Sequence, residues 1–414
     1  MRITFVTMNY APSVGGMQLL VQRVAEGLAM RGHDVEVITT DALRNPGASD
    51  PGWVSPSTDE IGGVLVRRLP FARRTHRVLR FTHRISRRLA HSLSISQPAR
   101  NLAGPLVPRP ISPRLWLATA KALQKRDVVI GVSIPYSTLV AVGLVPGRRH
   151  AALVALPLHH DHPGVTYRRP ARMALRRFDA WIALSDFEVG FLAGMGARRE
   201  DIINLPPGCD LDAYPQVEPA EARRAMGLPD RPTVGYVGRL TAYKGVDTFL
   251  AAVPGLLDRH PDITVLVAGA SLGISDLDRQ IQQTAELAGN RLIVRRDFAI
   301  DAKPMLLAAC DVVVCPSREE SFGMVNVEAW AAGRPVISGD IPAVRCLVRP
   351  GENGYLIPVG DHEALTERVT HILANPEAAR QMGQVGRLRA QNEFTWESIV
   401  DRWQELLSQR VEAS

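Results

Sequence analysis

Short apolar runs alternate with helix-spaced segments almost from one end of the chain to the other. Ile3–Met8, Val35–Thr39, Val64–Leu69, Val128–Val132, Ala151–Leu156 and Ala180–Leu184 have the β-branched, uncharged character of buried strands. Between them, Gln18–Met30 and Ala171–Phe178 carry apolar residues at helical spacing. A second series runs through Thr233–Gly238, Ile263–Ala268, Leu292–Arg295, Asp311–Cys315, Val336–Ser338 and Tyr355–Ile357. Buried strands separated by helices predict parallel sheets with right-handed crossovers. Two such series predict an α/β chain of two doubly wound parallel-sheet domains. Two prolines and a glycine in Leu205-Pro-Pro-Gly-Cys-Asp210 break any element there. The domains are therefore expected at 1–205 and 206–393, with a terminal helix over 394–412 packing back on the first. Ligands of such sheets sit beyond the carboxyl ends of the strands at the switch point, so the expected site is a cleft between two facing domains.

Composition narrows the class. With 46% apolar and 22% charged residues in 414, the chain is globular and not disordered. Cys209, Cys310, Cys315 and Cys346 show no Cys-x-x-Cys spacing and form no disulfide framework, which favours a reducing cytoplasm. The apolar stretch after Met1 is too short and too polar for a signal peptide. Val128 to Gly147 carries no charge over a length that would span a membrane. Pro135, Ser133, Ser137 and Thr138 interrupt it, and it reads as a strand followed by a helix from near Pro135.

The net charge of +7 is unevenly placed: residues 61–126 hold fifteen Lys and Arg and no Asp or Glu. From Thr75 to Ser94, Val78, Phe81, Ile85, Leu89 and Leu93 recur at spacings of three and four among Arg74, Arg77, Arg80, Arg84, Arg87 and Arg88. A basic amphipathic helix over 74–94 fits an anionic membrane surface, each cation adding about 1 kcal/mol. It fits equally a domain helix with a solvated basic face, or a surface that meets an acidic acceptor such as a lipid-linked diphosphate. Nucleic acid is not expected, because aromatics are only 6% and no binding module accompanies the charge.

Candidate chemistry lies just after the strands. Arg239-Leu-Thr-Ala-Tyr-Lys244-Gly245 leads from one strand into a helical pattern, and two cations beside a helix start suit a diphosphate. The run is neither a Walker loop nor a dinucleotide fingerprint. Pro316-Ser-Arg-Glu-Glu320-Ser-Phe-Gly323-Met-Val-Asn-Val-Glu328 follows another strand. Gly323 is expected to open a helix with Glu320 at its mouth; eight helical residues up to Glu328 would rise about 12 Å, the reach of a diphosphate carrying a sugar at each end. Gly15-Gly16 follows the first strand and allows close backbone approach. Pro157-Leu-His159-His160-Asp161-His162 follows another, but adjacent ligands at a strand end rarely close one metal sphere. Asp210-Leu-Asp212 and Asp276-Leu-Asp278 lie outside the strand-end context that a metal-diphosphate role would need.

These motifs together resemble the retaining glycosyltransferases of the large family 4, also called glycosyl transferases group 1. The resemblance rests on Gly-Arg-Leu-x-x-x-Lys-Gly at 238–245, on the Glu320/Glu328 pair, and on Glu-Ala-x-Ala-x-Gly-x-Pro-Val at 328–336. It extends from Gly15-Gly16 to the terminal helix beyond Phe394-Thr-Trp396. It implies the GT-B architecture of two facing Rossmann-like domains and transfer of a sugar from a nucleotide-sugar donor to an acceptor hydroxyl. Arg239 and Lys244 would grip the donor diphosphate and stabilise the leaving group. Gly15, Gly16, Gly238, Ser321, Phe322, Gly323, Met324 and Val325 would line the donor, Glu320 would bind sugar hydroxyls, and Glu328 the ribose. His160, in the Pro-x-x-His form of the family pattern, would stand near the transferred sugar, with His159 as its rival. No metal or other cofactor is implied. The chain departs from the family at Arg295-Arg296-Asp297-Phe298, where a glycine is usual, and at Pro342-Ala343 and Cys346, where Gly-Gly and a glutamate are common. A nucleotide-sugar 2-epimerase and a non-catalytic sugar-nucleotide scaffold are the other functions this architecture serves.

Overall fold

The structure is a computed structural model; it describes residues 1–13, 15–43, 52–55, 57–70, 112–134, 136–145, 150–159, 169–270, 275–296 and 298–413. The chain forms two compact units, Met1–Pro206 with Trp396–Ser414, and Pro207–Thr395.

The first unit holds eight strands: β1 (Arg2–Val6), β2 (Asp34–Thr40), β3 (Thr58–Ile61), β4 (Val64–Leu69), β5 (Val128–Val132), β6 (Ala152–Leu156), β7 (Ala180–Ala183) and β8 (Ile202–Asn204). They pair in the order β3-β4-β2-β1-β5-β6-β7-β8. Every pairing is parallel except β3 with β4, a hairpin turned through Gly62-Gly63. β3 alternates exposed and half-buried residues, and β8 is three residues long. Neither shows the continuous apolar run by which the buried strands are recognised. β5 and β6 are buried at every position, as parallel strands covered on both faces must be. The uncharged stretch from Val128 is thus β5 followed by the helix Ser137–Leu144. No described helix is long and apolar enough to cross a membrane.

The terminal helix Trp396–Glu412 packs on the helix Gly16–Met30 within this unit. Its apolar face, Ile399, Val400, Trp403, Leu406 and Leu407, is buried. The Trp403 ring lies 6.4 Å from that of Phe5 on β1, and Asp201 receives Arg410 at 3.0 Å. A helix separated from this sheet by the whole second unit is therefore part of the first unit's core.

The second unit has six strands: β9 (Thr233–Val237), β10 (Thr264–Gly269), β11 (Leu292–Arg296), β12 (Val312–Cys315), β13 (Val336–Gly339) and β14 (Gly354–Ile357). All are parallel, in the order β11-β10-β9-β12-β13-β14. The chain winds outward from β9 to β11 and then restarts on the other side of β9 with β12. This is the Rossmann order, and its switch point lies between β9 and β12. Val234, Val265 and Val312 face Phe249, Leu256 and Leu365 of the covering helices in one apolar cluster.

Replacing Trp403 by alanine should cost the first unit about 3–5 kcal/mol, the usual loss for a fully buried indole. Denaturant unfolding followed by circular dichroism should show an early transition in W403A; an unchanged midpoint would mean that the terminal helix is not part of that core.

Candidate functional site

The loops after β9 and β12 meet at the switch point of the second sheet. After β9, the chain passes Gly238 and Arg239, makes a single turn at Ala242–Lys244, and enters the helix Val246–Arg259 through Gly245, which is left-handed at φ 72. A β-carbon at position 245 would stand 1.9 Å from the Pro316 carbonyl oxygen, so only glycine permits this approach. Arg318 clamps the contact: its amide donates to the Tyr243 carbonyl at 2.8 Å, and its guanidinium pairs with Asp247 at 2.6 Å. Arg239 is exposed and lies over the Tyr243 ring, 5.6 Å from its centroid. The Tyr236 hydroxyl donates to the Arg239 carbonyl at 2.6 Å and fixes the backbone there.

Lys244 and Glu320 are brought together across the two loops. The ammonium contacts Glu320 Oε1 at 2.6 Å, and the Ser317 hydroxyl donates to the same oxygen at 3.0 Å. Their side chains are 16% and 12% exposed, close to the surface and largely desolvated. Next comes the helix Met324–Ala331, opened by Gly323 in the left-handed region at φ 100. The left-handed glycine ends helical geometry at that point, so residues 320–323 are a loop. As expected, Gly323 opens the helix with Glu320 at its mouth, but only the stretch from Met324 to Glu328 is helical, so the eight-residue rise is not reached. Phe322 is buried with its ring edge-on to Phe394 at 5.6 Å, while Ser321, Met324 and Val325 are half-buried. The Asn326 side chain donates to the Gly323 carbonyl at 3.1 Å and accepts from the Ser338 hydroxyl, which locks the helix start against β13.

Glu328 is buried and forms an ion pair with Lys303, which opens the short helix Lys303–Ala308 after β11. Sequence reading missed Lys303 because it stands in no motif, 25 residues from its partner. It missed Arg318 too, inside a run read for its carboxylates. Burial, reinforced by the Glu328 charge, pushes the Cys209 thiol up to about 12 and raises the Tyr214 hydroxyl as well. Burial and the charges of Glu320 and Glu328 likewise raise Cys315. The floor of this site is therefore neutral thiol and phenol, and its charge is carried by two lysine–glutamate pairs and Arg239.

In the first unit, Gly15 is extended at φ 165, and the helix Gly16–Met30 follows it directly. A β-carbon at 16 would meet nothing within 4 Å, so this chain's own packing does not demand glycine there. His159 is buried, its ring stacked on Phe191 at 3.6 Å between centroids. Its amide donates to Glu188 Oε1 at 2.7 Å, and the Leu184 amide donates to the other carboxylate oxygen at 2.8 Å. Burial lifts the Glu188 carboxyl to about 7 even though both amides favour its charged form. Ser185-Asp-Phe-Glu188 has the form of a capping box, and the Ser185 hydroxyl does cap the helix Asp186–Gly194. The glutamate instead ties the end of β6 to the end of β7, which no sequence signal revealed. His159 is thus packed inside the unit. His160 lies outside the described residues, as does the basic stretch 74–94.

The charge of segment 61–126 needs a correction, because part of it is compensated from outside the segment. Arg67 and Arg126 pair with Glu36 at 2.9 and 3.0 Å, and Arg126 also reaches Asp34 at 2.6 Å. Arg68 is buried and donates to the Ala11 carbonyl at 2.9 Å. Adjacent parallel strands put the acids of β2 beside the cations of β4, a neighbourhood invisible along the sequence. The Asp-x-Asp at 276–278 is engaged by Arg279 and Arg296, and no described group of three His, Cys, Asp or Glu gathers as a metal site.

Comparison with known proteins agrees with this geometry. Residues 220–389 match the family model of glycosyl transferases group 1, and residues 15–208 match that of the glycosyl transferase 4-like domain. The D-inositol 3-phosphate glycosyltransferase of Nocardia farcinica is 30% identical over 89% of this chain and 79% of its own. The GDP-mannose-dependent alpha-(1-6)-phosphatidylinositol monomannoside mannosyltransferase of Mycolicibacterium smegmatis is 30% identical over 66% of this chain and 75% of its own. Among solved structures, Anabaena HepE in complex with UDP superposes with a TM-score of 0.74 at 21% identity, covering 99% of this chain and 100% of that one. The Nocardia and Mycolicibacterium relatives are transferases by name, and neither favours the epimerase. The chain, with two Rossmann-like units of the GT-B kind, belongs to the glycosyl transferases group 1 and is a glycosyltransferase.

Proposed function

We propose that this glycosyltransferase takes a sugar from a nucleoside diphosphate held in the second unit and transfers it, with retention of configuration and without a metal, to the hydroxyl of an acidic acceptor. The observation that carries this reading is the Lys244–Glu320 pair at the switch point, beside Arg239 and the opening of the helix Met324–Ala331. A donor diphosphate brings two negative charges to this place. Lys244 can exchange its carboxylate partner for a phosphate, which leaves both oxygens of Glu320 to accept sugar hydroxyls. Arg239, with no acidic partner among the described residues, supplies a second cation. The first amides of the helix, at Met324 and Val325, complete the cradle with Gly238, Ser321, Phe322 and Gly323. Charge grows on the diphosphate as the glycosidic bond breaks, and these groups would stabilise it once the donor is bound. That is the work a metal would otherwise do.

Retention follows if the departing phosphate takes the proton of the acceptor hydroxyl on the face it leaves. A double displacement would need a carboxylate beneath the anomeric carbon. Glu320, the acid closest to the diphosphate cations, is assigned instead to the sugar hydroxyls. Glu328 is assigned to the ribose. In the first unit, Gly15 and Gly16 are assigned to the approach of the ligand. His159 is buried against Phe191, so the site histidine is assigned to His160.

UDP is the nucleotide of the HepE complex, whereas GDP-mannose serves the Mycolicibacterium relative. Both curated relatives take inositol acceptors that bear phosphate. Such acceptors fit the basic segment of this chain, and the pattern at 74–94 also suits the anionic cytoplasmic face of a membrane.

A thermal-shift screen against UDP-, GDP- and ADP-sugars should raise the melting temperature with one base, since a ligand at a hundred times its Kd adds about 2.7 kcal/mol. With that donor, Lys244→Ala and Arg239→Ala should each weaken binding about tenfold or more. Glu320→Gln should keep nucleotide affinity and lower turnover about a hundredfold. Unchanged affinity in both cation variants would remove the diphosphate assignment. Product analysis with the donor alone separates the alternatives, because epimerised sugar without transfer would overturn the transferase reading. Activity should survive EDTA. Co-sedimentation with phosphatidylglycerol vesicles should fall as salt rises; binding indifferent to lipid charge would discard the membrane role.

A further inference from the structure

The pair between Lys303 and Glu328 joins two elements that the family motifs do not connect. Lys303 is the first residue of the helix Lys303–Ala308, which follows β11 at the sheet edge, while Glu328 lies on the second turn of the helix after β12. Their side chains are 18% and 9% exposed. The other ionisable groups around Glu328 are Cys209, Tyr214 and Cys315, all of which burial and the Glu328 charge hold in their neutral, protonated forms. Asp210 adds a like charge near Cys209, and Arg387 spends a guanidinium hydrogen bond on the Ala331 carbonyl. Among the described residues, Lys303 is the cation in contact with this carboxylate.

A carboxylate that loses its cation loses the charge-assisted bond that fixes its orientation. The vicinal hydroxyls of a ribose present two O–H donors and are matched by an ionised carboxylate with both oxygens accepting. A 2′-deoxyribose presents one, and the match is lost. Lys303 contacts Oε2 of Glu328 and the Tyr214 hydroxyl also hydrogen-bonds this carboxylate, which leaves about two of its four lone-pair positions for a ligand.

We propose that Lys303 is a positioning residue that fixes the Glu328 carboxylate in orientation, so that it receives the 2′ and 3′ hydroxyls together. Lys303 thereby sets a preference of this chain for ribonucleoside over 2′-deoxyribonucleoside diphosphates. The inference rests on the donor reading above, in which Glu328 faces the ribose.

The test is isothermal titration of the full chain with UDP, GDP and ADP and with their 2′-deoxy counterparts. The wild type should prefer the ribonucleotide of its base by about tenfold or more, the value of a hydrogen bond to a charged group. In Lys303→Met, ribonucleotide affinity should fall about tenfold and the preference should narrow to about threefold or less. Lys303→Arg should keep most of both. Lys303→Gln, which retains a donor but no charge, should behave like the methionine variant and replaces it if circular dichroism shows that K303M does not fold. A merely structural role would weaken both sugars alike and leave their ratio unchanged. Wild-type discrimination in K303M or K303Q overturns the inference and leaves the donor site standing. A wild type that binds none of the six nucleotides overturns the donor reading instead.

Discussion

The candidate site depends on one backbone contact. The chain at Gly245 passes so close to Pro316 that a β-carbon there would lie 1.9 Å from the carbonyl oxygen. This proximity brings the turn after β9 against the loop after β12, and Arg318 holds it with bonds to Tyr243 and to Asp247. Without it, Lys244 and Glu320 would sit on separate loops at the end of a sheet. With it they are 2.6 Å apart, and the helix Met324–Ala331 opens beside them. The left-handed glycines at 245 and 323 do related work, each ending one backbone geometry so that a helix can start where its amides face the site.

The electrostatics follow from that closeness. Four partly desolvated charges in so small a space would be costly if unpaired, and they are paired as Lys244 with Glu320 and Lys303 with Glu328. The site is thus close to neutral before a ligand arrives, apart from Arg239 at the surface.

Much of this was readable along the chain, for physical reasons that vary by element. β5, β6, β9 and β12 are buried on both faces and appear as continuous apolar runs, so their positions could be read to within a residue. β3 has the alternation of an exposed edge and β8 has only three residues, too little pattern for either to stand out. Gly238, Arg239, Lys244, Glu320 and Glu328 could be read because they belong to short contiguous motifs. Lys303, Arg318 and Glu188 could not, since each acts on a partner brought near only by the sheet. Gly323 was legible as the helix start, but the eight-residue rise taken from Glu320 to Glu328 counted the loop residues 320–323 as helix. The compensation of Arg67 and Arg126 by Glu36 was hidden for the same reason as Lys303.

The two units differ in how far their chemistry can be read, although both present the carboxyl ends of parallel strands. A diphosphate has fixed charge and fixed length, so a site for it needs cations and amides at set places, and set places leave motifs. An acceptor has no such constant. In the first unit, the end of β6 is occupied by the protein's own contacts: Glu188 accepts two amides, Leu158 turns through a left-handed φ of 54, and His159 stacks on Phe191. Those contacts fix a scaffold and say little of what rests on it. Position 16 is open to a ligand but carries no charge that would name one. The segment between residues 61 and 126 carries fifteen cations and no acid, and three of them, Arg67, Arg68 and Arg126, are engaged by the unit's own acids and backbone.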